Sequence, residues 1–100
     1  MGKLIIDGKV AVLRTNGYGA GWYTWNTEYP DCVFDADIAS HVLNDATPAV
    51  LKEAATNKWP QGFWEAKYLT VEWVDEGSCF IIKEFDGCEH LEFVEPCFKA

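Results

Sequence analysis

The chain is poor in groups that grip phosphate. Arginine occurs once, at Arg14, and the 100 residues carry sixteen acidic against eight basic side chains, a net charge of −8. Direct nucleic-acid binding is disfavoured, because the protein would repel the backbone it has to neutralise. Long apolar runs are also missing; none approaches the ~20 residues of a membrane-spanning helix. The opening Gly2-Lys3-Leu4 enters a strand-like pattern at once, without the apolar core of a signal peptide. Cysteine is too sparse for a disulfide scaffold, and the spacing of Cys32, Cys79, Cys88 and Cys97 matches no zinc motif. Cys88-Glu89-His90 with Cys97 would supply fewer ligands than the tight pairs of a structural zinc site. The cysteines therefore read as free thiols in a reducing compartment, with no metal and no cofactor. Only His41 and His90 supply imidazole, and no serine sits in a nucleophile elbow. A Cys32–His41 pair is the arrangement on which an enzyme would rest, but His41 reads as an ordinary helix-face residue, so a non-enzymatic protein is expected.

What is present is apolar bulk. Hydrophobic residues make up 49% of the chain and aromatics 15%, with five tryptophans, which excludes a disordered polymer. Residues 1–100 form one domain, long enough to bury roughly two-thirds of the unfolded surface. Asp7-Gly8 between Lys3–Ile6 and Lys9–Arg14 predicts a type I′ hairpin with Ile5 opposite Val10, apolar on both faces and covered on both sides. Asp35 caps a helix over 36–43; Thr47-Pro48 opens a second that runs to about Thr56 and ends at a left-handed Asn57. Trp59-Pro60-Gln61-Gly62 reads as a turn. The chain then alternates as a meander, turning at 75–78 and at Asp86-Gly87. The expected fold is α+β, of order β-β-α-α-β-β-β. Its N-terminal hairpin and C-terminal three-stranded meander share one antiparallel sheet, with two short helices on one face.

Two constellations invite a functional reading. Gly17-Tyr18-Gly19-Ala20-Gly21 follows a strand, but Trp22 stands where a dinucleotide fingerprint needs glycine, and no Gly-Lys-Ser/Thr follows for a P-loop. What survives is an anion nest of glycine N–H groups beside Arg14, with Tyr18, Trp22 and Trp25 as flat walls and Asn16 and Asn26 to read polar edges. The alternative is that these glycines only permit close packing and the aromatics fill the core. The second constellation is the acidic C-terminal third. Glu72, Glu84, Asp86, Glu89, Glu92 and Glu95 sum to a negative patch that either keeps a tryptophan-rich surface soluble or docks on a basic protein.

With the strand Lys9–Leu13 before it, the Gly17–Asn26 segment resembles a group of small uncharacterised phage and prophage proteins. The likeness extends to Cys32-Val33-Phe34-Asp35 and to the turn Trp73–Gly77. It implies a context: a small protein in the cytoplasm of a bacterial host that binds and blocks a host or defence component stoichiometrically. Two functions stay open. One is a counter-defence sponge that sequesters a small nucleotide-like ligand in the glycine–aromatic loop. The other is an acidic inhibitor, or nucleic-acid mimic, that blocks a protein through the C-terminal patch. The surplus of aromatics also leads us to expect a homo-oligomer, most simply a dimer.

Overall fold

The computed structural model describes residues 2–94 and 98–100. The strands are β1 (Ile5–Ile6), β2 (Lys9–Thr15), β3 (Leu69–Asp75), β4 (Cys79–Phe85), β5 (Cys88–Glu92) and β6 (Phe98–Lys99); the helices are α1 (Ala36–Leu43) and α2 (Pro48–Lys58). A 3₁₀ turn, Pro30–Val33, precedes α1. The α+β class and the order of elements are those expected, with β6 added at the end.

The local signals act where they stand. Asp7 and Gly8 both take positive φ, and Ile5 pairs with Val10. The Asp35 carboxylate accepts from the Ile38 N–H and the Thr47 hydroxyl from the Val50 N–H, so each cap satisfies an N–H that the first helical turn leaves open. The second helix departs from expectation at its end: it passes Asn57 and stops at Lys58, with Trp59 as its cap. Its last turn is held by the Trp59 N–H on the Ala55 carbonyl, and Pro60 then blocks continuation.

The single sheet does not form. Antiparallel pairing gives two three-stranded sheets, β1-β2-β3 and β5-β4-β6. The reason lies in the turn between β3 and β4. The Glu76 N–H bonds to the Gly8 carbonyl and the Gly77 N–H to the Ala100 carbonyl, so the turn anchors to the first hairpin and to β6. β3 pairs with β2 along the whole register from Lys9–Asp75 to Thr15–Leu69, and its other edge pairs with no strand among the described residues.

β2 lies between two cores, and its period-two alternation serves both. Ala11 and Leu13 face the helices, packing with Trp22, Ile38, Ala39, Leu51, Ala55 and Trp64. Val10 and Val12 face the second sheet, packing with Val33, Val74 and Phe80. Cover on both faces thus holds for β2, whereas Ile5 and Ile6 of β1 stay exposed. No helix among the described residues is long and apolar enough to cross a membrane.

Candidate functional site

The segment Asn16–Tyr29 contains no regular helix or strand, so its shape depends on side-chain and loop contacts. Several of them lead to the β4–β5 hairpin. The Gly19 N–H donates to the Asp86 carbonyl at 2.7 Å. Gly87 sits at φ +87°, and a Cβ there would collide with the Gly19 carbonyl, so glycine is needed for both the turn and the contact. The Thr15 hydroxyl bonds to the Gly87 carbonyl, and the Trp25 indole N–H donates to the Glu84 carboxylate at 3.0 Å. The loop and the acidic hairpin, separate features in the sequence, are one interlocked unit.

Its internal fastening is Glu89. This side chain is fully buried, and its carboxylate accepts from the Thr15 N–H, the Thr24 N–H and the Thr24 hydroxyl. All three partners are donors, which suits a carboxylate and offsets part of its desolvation. Glu89 is therefore not part of an exposed patch. Position 89 shares strand parity with the inward Leu91, a signal that alternation alone could have supplied.

The other expected site residues divide sharply. Arg14 is consumed: Nε donates to Glu72 Oε1 at 2.6 Å and Nη1 to the Glu89 carbonyl at 2.8 Å. It joins β2 to β3 and β5, so the expected anion nest loses its cation, and Glu72 leaves the patch with it. Trp22 is fully buried, its indole N–H on the Cys32 carbonyl and its ring 4.7 Å from Trp64. It cannot serve as a wall for a ligand. Asn26 is buried too, its amide donating to the Trp22 and Phe63 carbonyls while accepting from the Phe63 N–H. That fully engages its side chain, so it reads no ligand edge. Gly21 is buried against Thr24 and Trp25, and Gly17 lies beneath the Tyr68 ring, where a Cβ would approach ring carbons to 2.5 Å. Asn16 is exposed and its N–H donates to the Tyr68 carbonyl. Among the described residues no buried side-chain nitrogen or oxygen is left without a partner, so the interior offers no polar group waiting for a ligand.

What stays outside is aromatic and acidic. Tyr18 is 65% exposed, Trp25 46%, Phe63 56%, Tyr68 44% and Phe85 74%. Tyr18 meets Phe85 edge-on at 6.4 Å, and Trp25 lies 5.6 Å from Phe63. Tyr18 and Tyr68 line one cleft of about 260 Å³ with Gly19, Ala20, Glu65 and Lys67. Glu84 and Asp86 stand exposed at the hairpin tip, while Glu92 pairs with Lys83 and His90 further along β5. Glu95, like Cys97, lies outside the described residues. Phe63, Tyr68 and Phe85 were not anticipated; only contacts across the chain bring them to the loop. A wider groove of about 540 Å³ lies between the sheets at Lys9, Trp73, Asp75, Cys79 and Phe93, away from this face.

Cys32 is not poised as a nucleophile. Burial, then the nearby Glu89, Asp31 and Asp35 charges, push the Cys32 thiol far above its ordinary range, which keeps it neutral and unreactive. His41 is exposed on α1. No three His, Cys, Asp or Glu side chains gather to hold a metal among the described residues.

Comparison with protein-family models, with curated proteins and with solved structures returned no match to this chain.

Proposed function

We propose that the protein is a non-enzymatic binding module that docks on a basic protein through the aromatic face built by the 16–26 loop and the β4–β5 hairpin tip. One observation carries the reading: Tyr18, Trp25, Phe63, Tyr68 and Phe85 are all exposed around that unit, with Glu84 and Asp86 beside them. Exposed aromatics of this number are costly on a monomer unless something covers them. Aromatic anchors within a charged rim are also the usual composition of a protein-binding hot spot. The two readings of the sequence thereby merge, since the loop and the acidic hairpin belong to the same surface.

A nucleotide-like ligand is less well supported. The cleft of about 260 Å³ falls short of the usual ~300–1,000 Å³ of small-molecule sites, and Arg14 is already engaged. Self-association through this face is opposed by Glu84 and Asp86, which would meet their own copies. Full burial of Trp22 weakens the motive for a homo-oligomer, while exposed Trp25 keeps part of it. The resemblance to phage and prophage proteins supplies the context: an acidic blocker of a host or defence protein, acting in the bacterial cytoplasm.

The test compares immobilised wild type with a Tyr18→Ala/Phe85→Ala variant in host lysate, with Val50→Ala on α2 as the control. A partner held by wild type and control, lost by the face variant and released by salt is the expected result. Equal retention by all three overturns the reading, as does a co-purifying small molecule that the face variant loses.

A further inference from the structure

We infer that the cleft between Tyr18 and Tyr68 is a socket for an arginine side chain of the docked partner, with Lys67 as its resident competitor. This rests on the docking reading above and names the group that would enter. The cleft is lined by Tyr18, Tyr68, Gly19 and Ala20, with Glu65 and Lys67 as its charged residues. Tyrosine faces attract cations, and a planar guanidinium can stack on a ring while its N–H fork engages a carboxylate.

Both walls are held in place without a ligand. Tyr68 rests on Gly17, and its carbonyl accepts from the Asn16 N–H at 2.8 Å. Tyr18 is braced edge-on by Phe85, and Gly19 is tied to the Asp86 carbonyl. A preformed site loses less entropy when filled. The volume suits one side chain better than a whole ligand, and Glu65 in the lining, with Asp86 joined to Gly19 through its carbonyl, biases the neighbourhood toward a positive group.

Lys67 sharpens the argument. Its ammonium lies 5.2 Å from the Tyr68 ring centroid, so the tyrosine already attracts a cation. Lys67 is exposed and its side chain is flexible, so an entering guanidinium can displace it. The same ammonium repels that guanidinium, and removing it should tighten binding, the reverse of what losing a contact residue would do.

The experiment titrates ¹⁵N-labelled protein with N-acetyl-Gly-Arg-Gly-amide, with the lysine and the neutral citrulline peptides as comparators. Shifts should concentrate at Tyr18, Gly19 and Tyr68 with the arginine peptide and be weaker with lysine and absent with citrulline. Tyr18→Ala should weaken binding about two- to fivefold, and Lys67→Gln should strengthen it by a similar factor. Glu65→Gln should weaken it, while Glu53→Gln on α2 should leave it unchanged. Amide spectra confirm that each variant is folded. The assignment falls if Lys67→Gln binds no tighter, if citrulline or lysine matches arginine, or if the shifts spread over all acidic surfaces. Should the socket fail while the Tyr18/Phe85 variant still loses its lysate partner, the docking face stands without it.

Discussion

Trp22 and Trp25 sit three residues apart in the same loop, yet one belongs to the fold and the other to the surface. Trp22 is enclosed between Trp64 and Cys32, and every polar atom of its indole is spent inward. Trp25 touches Phe63 and offers its N–H to the exposed Glu84. The same division separates Glu89, with three internal donors, from Glu84, which holds Trp25 and the Gly87 N–H at the rim. Residue type does not decide function in this unit. What decides it is whether the partner of each group lies inside the domain.

The sharpest way to break this comparison is to truncate both tryptophans. Trp22→Ala should cost about 3–5 kcal/mol, from the cavity and the lost bond to Cys32. That is a large fraction of the ~5–15 kcal/mol that holds a typical domain. Trp25→Ala should cost less than about 1.5 kcal/mol, because half of the ring is already in water and mainly its pairing with Phe63 is lost. Urea denaturation followed by circular dichroism measures both. Equal losses would mean that Trp25 is a core residue and that the face is narrower than described.

Glu89 gives the next largest effect. In Glu89→Gln the amide nitrogen must face a donor, Thr15 N–H or the Thr24 pair, leaving that donor unpaired at about 1–3 kcal/mol. Loosening the loop from the hairpin should also broaden the amide signals of Thr24 and Gly19. Glu84→Gln should cost under about 1 kcal/mol, since both of its donors, the Trp25 and Gly87 N–H groups, meet one oxygen that the amide oxygen can replace. A Glu89 variant as stable as Glu84→Gln would refute the fastening role.

The parts legible in the sequence are those set by neighbours along the chain. Asp7-Gly8 and Asp86-Gly87 require positive φ, and the turn follows from that alone. Asp35 and Thr47 cap the N–H groups three residues ahead. Sheet partition is different, because it depends on where Glu76 and Gly77 find acceptors, at Gly8 and Ala100, far away in the chain. The candidate site lies between these cases. Loop and hairpin each stood out in the sequence as separate features, but that they meet and which aromatics face out was not readable, since Trp64 and Phe63 decide the latter from about forty residues away.

The close approach of loop and hairpin at Gly87 offers a smaller test. Gly87→Ala places a methyl group against the Gly19 carbonyl in a backbone conformation alanine resists, with a cost of about 1–3 kcal/mol. Gly77→Ala, at φ +90° but in open space, isolates the conformational part of that cost. A greater loss at Gly87 than at Gly77 measures the packing of the two segments, and identical losses would show that the contact contributes nothing.

The smallest effect concerns the clamp between the two helices, where no docking is proposed. Lys58, at the end of α2, pairs with Asp35 at 3.2 Å and Asp37 at 3.1 Å on α1. Burial alone would lower its pKa, but the hydrogen bonds and charges of Asp37 and Asp35 together raise it above the ordinary 10.5. A cation whose pKa is higher when folded stabilises the fold fully below its unfolded value and loses that contribution as pH rises through the folded one. The stability difference between wild type and Lys58→Gln should therefore be constant at neutral pH, about 1 kcal/mol or less. It should begin to shrink only above pH 10.5, the ordinary value. Urea titrations of both proteins across that interval measure it, and taking the difference removes effects common to the two proteins. A difference that falls already near pH 8 would mean that Lys58 loses its proton more readily than normal, and that the helix clamp is dominated by burial rather than by its two carboxylates.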